Sequence, residues 1–320
     1  MNFLAILAAL ALEQWRAFRW RNALERLFVR YARMLERTLN GGSLRHGAIA
    51  AAAALAPPAL VAAGAFWLLG ATHPLLALAW NVLILYLLMG FRRFSHAFTA
   101  IAAALKSGDV VQARRTLAHW RGGTTAELSS EEVARVAVER GLVDAYRQVF
   151  ATLFWFMILP GPAGAVLYRA AALLADEWHD HVPGAEVTPI GAALARFGRP
   201  ARQLLWLLDW VPVRLTALSF AIVGDFEDAI FCWRTQAKEW ADQEGGLHAG
   251  ILLASGAGAL GVIVGGTLPV ETGEPEFRPT LGLGEPASAD QLPSAVALGW
   301  RTLILWLLLI LLLTLAYVAP

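Results

Sequence analysis

The sequence predicts an all-α, polytopic integral membrane protein, and its composition and hydropathy pattern are the observations that predict it. Of the 320 residues, 58% are hydrophobic and 16% are charged, whereas a soluble domain carries about 25% charged residues. Residues 296–318 form one nearly unbroken apolar stretch, long enough to cross a bilayer as a helix. Weaker candidates lie at 47–70, 73–91, 150–175, 204–223 and 249–266. We therefore expect about five to six transmembrane helices, and no stretch alternates as a β-strand would.

The distribution of charge predicts a topology. Eight arginines lie in 16–45 and nine Lys/Arg lie in 92–147, whereas 267–295 contains only Arg278 beside five acidic residues. The positive-inside rule then places both basic regions in the cytoplasm and 267–295 outside the inner membrane. Six crossings would leave both termini cytoplasmic. The net charge of +1 gives no argument for a nucleic-acid partner.

One segment leaves the topology open. Residues 150–175 are apolar but contain Pro160-Gly161-Pro162, and they either cross the membrane or re-enter it. We expect a full crossing. A re-entrant segment would return 176–203, which carries three arginines, to the cytoplasm.

The chain divides into four predicted segments. They are an interfacial, basic amphipathic helix at 1–46, a transmembrane hairpin at 47–91, a cytoplasmic helical insertion at 92–149 and a transmembrane core at 150–320. The interfacial segment implies inner-membrane lipids as partners.

Helix-boundary signals divide the insertion. Ser107-Gly108 interrupts one helix and Asp109 suits the N-cap of the next, while Ser129 or Ser130 suits the N-cap of a third.

Three motifs have simple structural explanations. The GxGxxG match at 256–261 lies in an apolar segment, where small residues let helices approach closely, so we favour packing over nucleotide binding. "DEWHDHV" at 176–182 offers two histidines at i, i+2, which do not share a helix face, so we expect no metal site. The single Cys232 excludes an intramolecular disulfide and a cysteine-based zinc cluster.

Two arginines inside apolar segments are stronger candidates for function. Arg169 follows the proline–glycine break, and Arg214 follows Pro212. An unpaired charge at membrane depth costs about 2.5–3.5 kcal/mol or more, so each requires a partner or a ligand. The acidic residues that suit Arg214 as partners are Glu139, Asp144, Asp209 and Asp225. We predict two interrupted helices that face one polar cavity and accept an anion.

Four stretches carry a family resemblance. They read "ATLFWFMILPGPAGAVLYRA", "RFGRPARQLLWLLDWVPVRLTALSFAIVGDFEDAIFCWR", "ASGAGALGVIVGG" and "RPTLGLGEPASADQLPSAV". In order and spacing they resemble the CobD/CbiB membrane family of cobalamin biosynthesis, over roughly 125–318. That family includes adenosylcobinamide-phosphate synthase and AmpE, a relative linked to β-lactamase regulation.

The resemblance implies an inner-membrane protein and an ATP-dependent ligase, which joins adenosylcobyric acid to an aminoalcohol or its phosphate. The ligand would be a corrinoid or another acidic or phosphorylated small molecule, and ATP and Mg²⁺ would be required only if ligase activity is retained. Glu139 and Asp225 are the catalytic candidates that it implies. The ligand-binding candidates are Tyr168, Arg169, Arg214, Trp210 and Asp144.

Several positions depart from the synthase pattern. Ala172 and Ala175 replace Asn and Asp, Leu205 and Trp206 replace paired acids, and Arg147 replaces another acid. Amide formation with ATP needs carboxylates that hold metal-bound phosphates and move protons. We therefore expect little or no synthase activity, with ligand binding or regulation retained.

Two alternatives remain open at this point. One is a non-catalytic, AmpE-like membrane sensor or regulator of cell-wall or β-lactamase signalling. The other is a transporter, which would suit interrupted helices, although no inverted repeat is detectable.

Overall fold

The structure is a computed structural model. It describes residues 2–15, 21–122, 125–178, 189–243, 245–269 and 277–318. The chain forms two compact units, each assembled from two separate stretches of sequence. The first unit combines Met1–Met89 with Arg147–Trp210, and the second combines Gly90–Tyr146 with Val211–Pro320.

Helices make up the first unit. In chain order they are α1 (Asn2–Trp15), α2 (Arg21–Leu39), α3 (Leu44–Thr72), α4 (Pro74–Leu88), α8 (Ala151–Ile158), α9 (Ala163–Glu177) and the first part of α10 (Pro189–Val223). The helix α3 packs against α4 and α9, α1 packs against α4, and α2 packs against α3 and α9. A π-helical turn, Tyr146–Phe150, precedes α8.

The second unit is also mainly helical. Its helices are α5 (Phe91–Lys106), α6 (Val110–Arg121), α7 (Ser130–Ala145), the last part of α10, α11 (Phe226–Gln236), α12 (Gly246–Leu260) and α13 (Leu292–Val318). Every residue of α12 from Gly250 to Ala259 is buried, and α12 packs against α11 and α7. The all-α prediction is confirmed.

A small sheet in the second unit was not expected. Its strands are β1 (Val262–Gly265), β2 (Thr280–Leu281) and β3 (Glu285–Pro286), in the order β2-β1-β3. The strand β1 pairs antiparallel with β2 and parallel with β3. The prediction of a helix across 249–266 was therefore wrong, because Gly261 ends α12 with a φ of +65°. A short apolar run such as "VIVGG" has no period that separates strand from helix.

Three of the described helices are long and apolar enough to cross a membrane. They lie at Leu44–Thr72, Leu194–Val223 and Leu292–Ala316. Three of the six predicted spans are therefore full-length helices. The helices α4 and α12, with 15 residues each, extend only about 22 Å. The remaining candidate, 150–175, is divided between α8 and α9.

The segment 150–175 is a helical hairpin. The helix α8 ends at Ile158, the chain turns at Gly161 (φ +64°), and α9 packs back against α8. Arg147, before α8, donates to both carboxylate oxygens of Asp176 near the end of α9, at 3.1 Å each. The two ends of the segment therefore lie next to each other, and the prediction of a single full crossing was wrong.

Prolines inside two long helices do not interrupt them. A proline lacks the N–H that would bond the carbonyl four residues earlier. For Pro57 in α3, that carbonyl belongs to Ala53, and it accepts the Tyr31 hydroxyl at 2.8 Å. For Pro212 in α10, it belongs to Leu208, and it accepts the Trp155 indole N–H at 3.1 Å. The predicted second interruption, at Pro212, was therefore wrong, because a side chain replaces the missing backbone donor.

The insertion and the 267–295 segment contact each other within the second unit. Arg278 binds Glu139, and Lys106 Nζ lies 3.3 Å from Asp290 Oδ1. Segments in direct contact lie on one side of a membrane. These contacts argue against the prediction that 92–147 and 267–295 lie on opposite sides of the membrane.

The predicted helix boundaries in the insertion are confirmed. Gly108 has a φ of +76°, and Asp109 Oδ1 accepts the Gln112 N–H at 2.9 Å. Ser129 and Glu132 form a reciprocal capping box at the start of α7.

Candidate functional site

Glu139 lies at the centre of a polar cluster in the second unit. Its side chain projects from α7 and is 9% exposed, and that of its partner Arg278 is 7% exposed. Arg278 donates from Nη1 to Oε2 at 2.7 Å and from Nη2 to Oε1 at 3.1 Å. The Gly265 N–H donates to Oε1 at 2.8 Å. The carboxylate therefore accepts three hydrogen bonds from protein donors, which hold it against Arg278 and Gly265.

The same arginine holds the glycine-rich segment beside β1. Arg278 Nε donates to the Gly266 carbonyl at 3.3 Å, and the guanidinium lies 5.6 Å from the centre of the Trp240 ring. Gln236 binds the residue directly after β2 through two hydrogen bonds. The Gly282 N–H donates to Gln236 Oε1 at 2.7 Å, and Gln236 Nε2 donates to the Gly282 carbonyl at 3.2 Å. These contacts fasten the small sheet to α7 and α11.

The other two acidic candidates in this unit also have structural roles. Asp144 is buried, and its Oδ2 accepts the Trp120 indole N–H at 2.9 Å, while Arg140 Nε lies 3.2 Å from Oδ1. Asp225 is exposed and caps α11, where its Oδ1 accepts the Asp228 N–H at 3.0 Å. An N-cap carboxylate satisfies an otherwise unpaired helix donor.

In the first unit, Tyr168 and Arg169 point to different partners. Tyr168 is fully buried, and its hydroxyl donates to Asp209 Oδ1 at 2.9 Å. Arg169 donates from Nη2 to Glu25 Oε1 at 3.1 Å. Asp209, a predicted partner for Arg214, thus accepts a hydrogen bond from Tyr168.

Two ion pairs of opposite polarity join α2 to α9. Glu25 pairs with Arg169, and Arg33 pairs with Glu177 through two hydrogen bonds. The spacing is eight residues on both helices, so the two helices run in the same direction at this contact. The basic amphipathic helix predicted within 1–46 is therefore bound to α9 by these two ion pairs.

The remaining ligand-binding candidates lie on α10. Trp210 is 46% exposed and belongs to the first unit, whereas Arg214 is half-buried and belongs to the second. Since Arg169 and Arg214 fall in different units, their shared anion-accepting cavity stays a prediction.

The GxGxxG match is confirmed as a helix-packing motif. A Cβ at Gly258 would lie 2.6 Å from the Asp228 carbonyl oxygen, and a Cβ at Gly256 would lie 2.7 Å from the Leu142 side chain. The glycines therefore let α12 approach α11 and α7 closely. No soluble strand–turn–helix unit surrounds the motif among the described residues.

The described residues show no preformed cluster of metal ligands. None of the described parts of the chain contains a group of three or more His, Cys, Asp or Glu side chains placed to hold a metal. Glu139 and Asp225 already bind protein donors. In "DEWHDHV", Asp176 binds Arg147, and the two histidines lie outside the described residues.

The single cysteine is shielded. Cys232 is completely buried in α11. Burial, together with the nearby Asp228 charge, raises the pKa of its thiol to about 11. The thiolate is the reactive form, so Cys232 is protected from thiol reagents at neutral pH.

Sequence reasoning missed three residues that hold these clusters together: Arg278, Glu25 and Gln236. Arg278 had a usable signal, since it is the only basic residue in 267–295. Glu25 lies among arginines, and Gln236 is an ordinary polar residue in an amphipathic helix, so neither stood out.

Comparison with known proteins identifies the family. The profile of the CobD/Cbib protein family matches residues 6–299. The chain belongs to the CobD/CbiB family. It is 37% identical over 288 residues to the cobalamin biosynthesis protein CobD of Stutzerimonas stutzeri, covering 89% of this chain and 88% of that protein. It is also 37% identical over 260 residues to the CobD of Chromobacterium violaceum, covering 81% of this chain and 77% of that protein.

A more distant CobD/CbiB relative is the cobalamin biosynthesis protein CbiB of Salmonella arizonae. It is 25% identical over 234 residues, which cover 71% of this chain and 69% of that protein. No solved structure matches the chain. The family resemblance in the sequence is thus confirmed, and these relatives give no support to the AmpE-like alternative.

Proposed function

We propose that the protein serves cobalamin biosynthesis at the membrane, where it binds an acidic corrinoid precursor such as adenosylcobyric acid and has little or no synthase turnover of its own. The observation that carries the role is the 37% identity to a cobalamin biosynthesis protein CobD over nearly the full length of both chains. Such coverage includes both compact units rather than one shared helix.

The carboxylates of both catalytic candidates already bind protein groups, and this supports the proposal of little or no synthase turnover. Both oxygens of Glu139 bind Arg278, and Asp225 caps a helix. A general base must be within reach of the proton that it removes and must have capacity to accept it. Losing one acid–base group commonly lowers a rate by about 10²–10⁴-fold.

Complementation tests the catalytic part of this proposal. A strain that lacks its cobinamide-phosphate synthase is grown where adenosylcobyric acid must be converted to cobalamin. We expect this chain to give no robust growth, while the strain's own synthase gene restores it and a tagged copy of this chain reaches the membrane. Robust growth that is lost in Asp225→Asn would establish synthase activity, because asparagine keeps the N-cap and removes only the charge.

Direct binding tests the ligand separately. Purified protein in detergent should retain adenosylcobyric acid, and Arg214→Leu should abolish that retention while membrane insertion and expression stay near normal. Arg301→Leu is the matched control, because Arg301 is an exposed arginine whose Nη1 lies 3.5 Å from the Val223 carbonyl oxygen. Absence of binding by the wild type, or equal binding by Arg214→Leu, would contradict the proposal.

We further propose a multi-pass arrangement in the bacterial inner membrane. The nine basic residues of 92–147 favour a cytoplasmic position for that segment. Because Glu139 binds Arg278, we expect 267–295 on the same side of the membrane. Crossing by α13 from there would put the C-terminus in the periplasm, not in the cytoplasm as the charge pattern alone suggested.

Paired cysteines test this topology. In Lys106→Cys/Asp290→Cys, we expect an intramolecular cross-link by a short bis-maleimide, because the ends of the side chains that they replace lie 3.3 Å apart. Single cysteines at Ser107 and Ser288 should both resist an impermeant maleimide in intact cells, with the buried Cys232 as a silent background. A periplasm-dependent reporter at the C-terminus should be active. Labelling at only one of the two serine positions would contradict the placement of 92–147 and 267–295 on one side of the membrane.

A further inference from the structure

A groove in the first unit has a lining unlike the polar clusters described above. It lies between α2, α3, α4 and α9 and has a cavity volume of about 120 Å³. Apolar side chains form most of its wall: Leu24, Phe28, Pro58, Leu87, Val166 and Leu173. The charged residues in the lining are the paired Glu25 and Arg169. Such a wall suits a hydrocarbon chain with one anionic group.

Arg169 retains capacity for an anion. Its side chain is 11% exposed, and it binds Glu25 through a single hydrogen bond, from Nη2. By contrast, Arg33 and Arg278 each bind their glutamate through two hydrogen bonds. A guanidinium has five N–H donors in a fork that matches a carboxylate or phosphate. The pair with Glu25 therefore leaves donors for a second anionic group.

The helix that lines the groove is suited to a membrane surface. Five arginines against two glutamates give α2 a net charge of +3. Its exposed apolar residues include Leu24, Leu27 and Met34, at 44%, 63% and 54%. A basic helix with exposed apolar side chains lies at the headgroup level and attracts anionic lipids.

We propose that this groove binds an anionic phospholipid, with an acyl chain along the apolar wall and the phosphate on Arg169. The positive α2 selects the anionic headgroup over a zwitterionic one. A corrinoid fits this wall poorly, since its rim of amides would meet aliphatic side chains without hydrogen-bond partners. The inference is independent of the proposed corrinoid site.

Lipid retention tests the proposal. The full chain is purified in mild detergent and exposed to phosphatidylglycerol or phosphatidylcholine of identical acyl chains, and bound lipid is counted by native mass spectrometry. We expect wild type to retain phosphatidylglycerol at least about tenfold more strongly than phosphatidylcholine. Arg169→Gln should lose this preference, while Arg301→Gln should keep it.

A second variant removes the ambiguity of misfolding. Arg169→Gln leaves Glu25 without its arginine, whereas Glu25→Gln/Arg169→Gln removes both charges of the pair together. This double variant should keep the wild-type helical content and still lose the preference. Equal retention of the two lipids by wild type, or an unchanged preference in the folded double variant, would overturn the proposal. So would displacement of phosphatidylglycerol by inorganic phosphate alone or by adenosylcobyric acid, since either result would assign Arg169 to a soluble ligand.

Discussion

Replacing Glu139 with alanine is expected to destabilise the second unit by about 3–5 kcal/mol, because Arg278 would keep its charge in a buried position without its carboxylate. Both side chains are less than one-tenth exposed, and the pair is bidentate. The variant would also leave the Gly265 N–H without its acceptor. A loss of this size is a large fraction of the stability of an ordinary domain.

A double-mutant cycle measures this effect. Glu139→Met, Arg278→Met and the Glu139→Met/Arg278→Met double variant form the cycle, and they are unfolded in detergent beside Glu139→Ala, with helical content as the signal. The double variant should be more stable than Glu139→Ala, since apolar residues in place of a buried pair leave no unpaired charge. Wild-type stability of Glu139→Ala would contradict the structural role of the pair.

This prediction changes how activity data on Glu139 are to be interpreted. If Glu139→Ala loses function, the loss can come from the detached glycine-rich segment rather than from missing acid–base chemistry. Recovery of function in Glu139→Met/Arg278→Met would exclude a catalytic carboxylate at this position. Loss of function in a folded double variant would favour one.

Adding a single methyl group at Gly258 is expected to destabilise the protein by about 1–3 kcal/mol, as overpacking of a well-packed interior does. The Cβ of Gly258→Ala would lie 2.6 Å from the Asp228 carbonyl oxygen and 2.9 Å from the Ala229 Cα. These are backbone atoms of α11, so the two helices would have to separate. Thermal unfolding in detergent measures the change.

Two matched glycines serve as controls for Gly258→Ala. At Gly64 in α3, an added Cβ meets nothing within 4 Å, so Gly64→Ala should be neutral or stabilising by up to about 1 kcal/mol. At Gly256, the obstacle is the flexible Leu142 side chain, so Gly256→Ala should have an intermediate effect. Equal stability of Gly258→Ala and Gly64→Ala would contradict close packing as the role of the motif.

Hydropathy and local signals in the sequence predicted much of the architecture. The apolar blocks at 47–70, 204–223 and 296–318 are full-length helices, because a long apolar run with at most two charged residues has few alternatives to a membrane helix. Asp109 and Ser129 cap helices as predicted, since a cap depends on atoms within three residues of it. The family was also recognisable from the order of its motifs.

Features that depend on distant parts of the chain were not predictable. Whether Pro212 breaks its helix was decided by Trp155, more than fifty residues away, which donates to the freed carbonyl. Whether 150–175 crosses the membrane was decided by its return from Gly161 to Arg147. In both cases the local sequence allowed two outcomes, and a tertiary contact selected one.

The candidate site shows the same division. The sequence by itself marked Arg169 and Arg214 as charges inside apolar segments, and its resemblance to the CobD/CbiB family marked Glu139, Tyr168 and Asp225. Only the tertiary structure decided that Glu139 binds Arg278, 139 residues away, and that Arg169 binds Glu25. The free energy of a buried charge depends on which opposite charge and which backbone donors reach it. That choice is made when helices from distant parts of the sequence pack together.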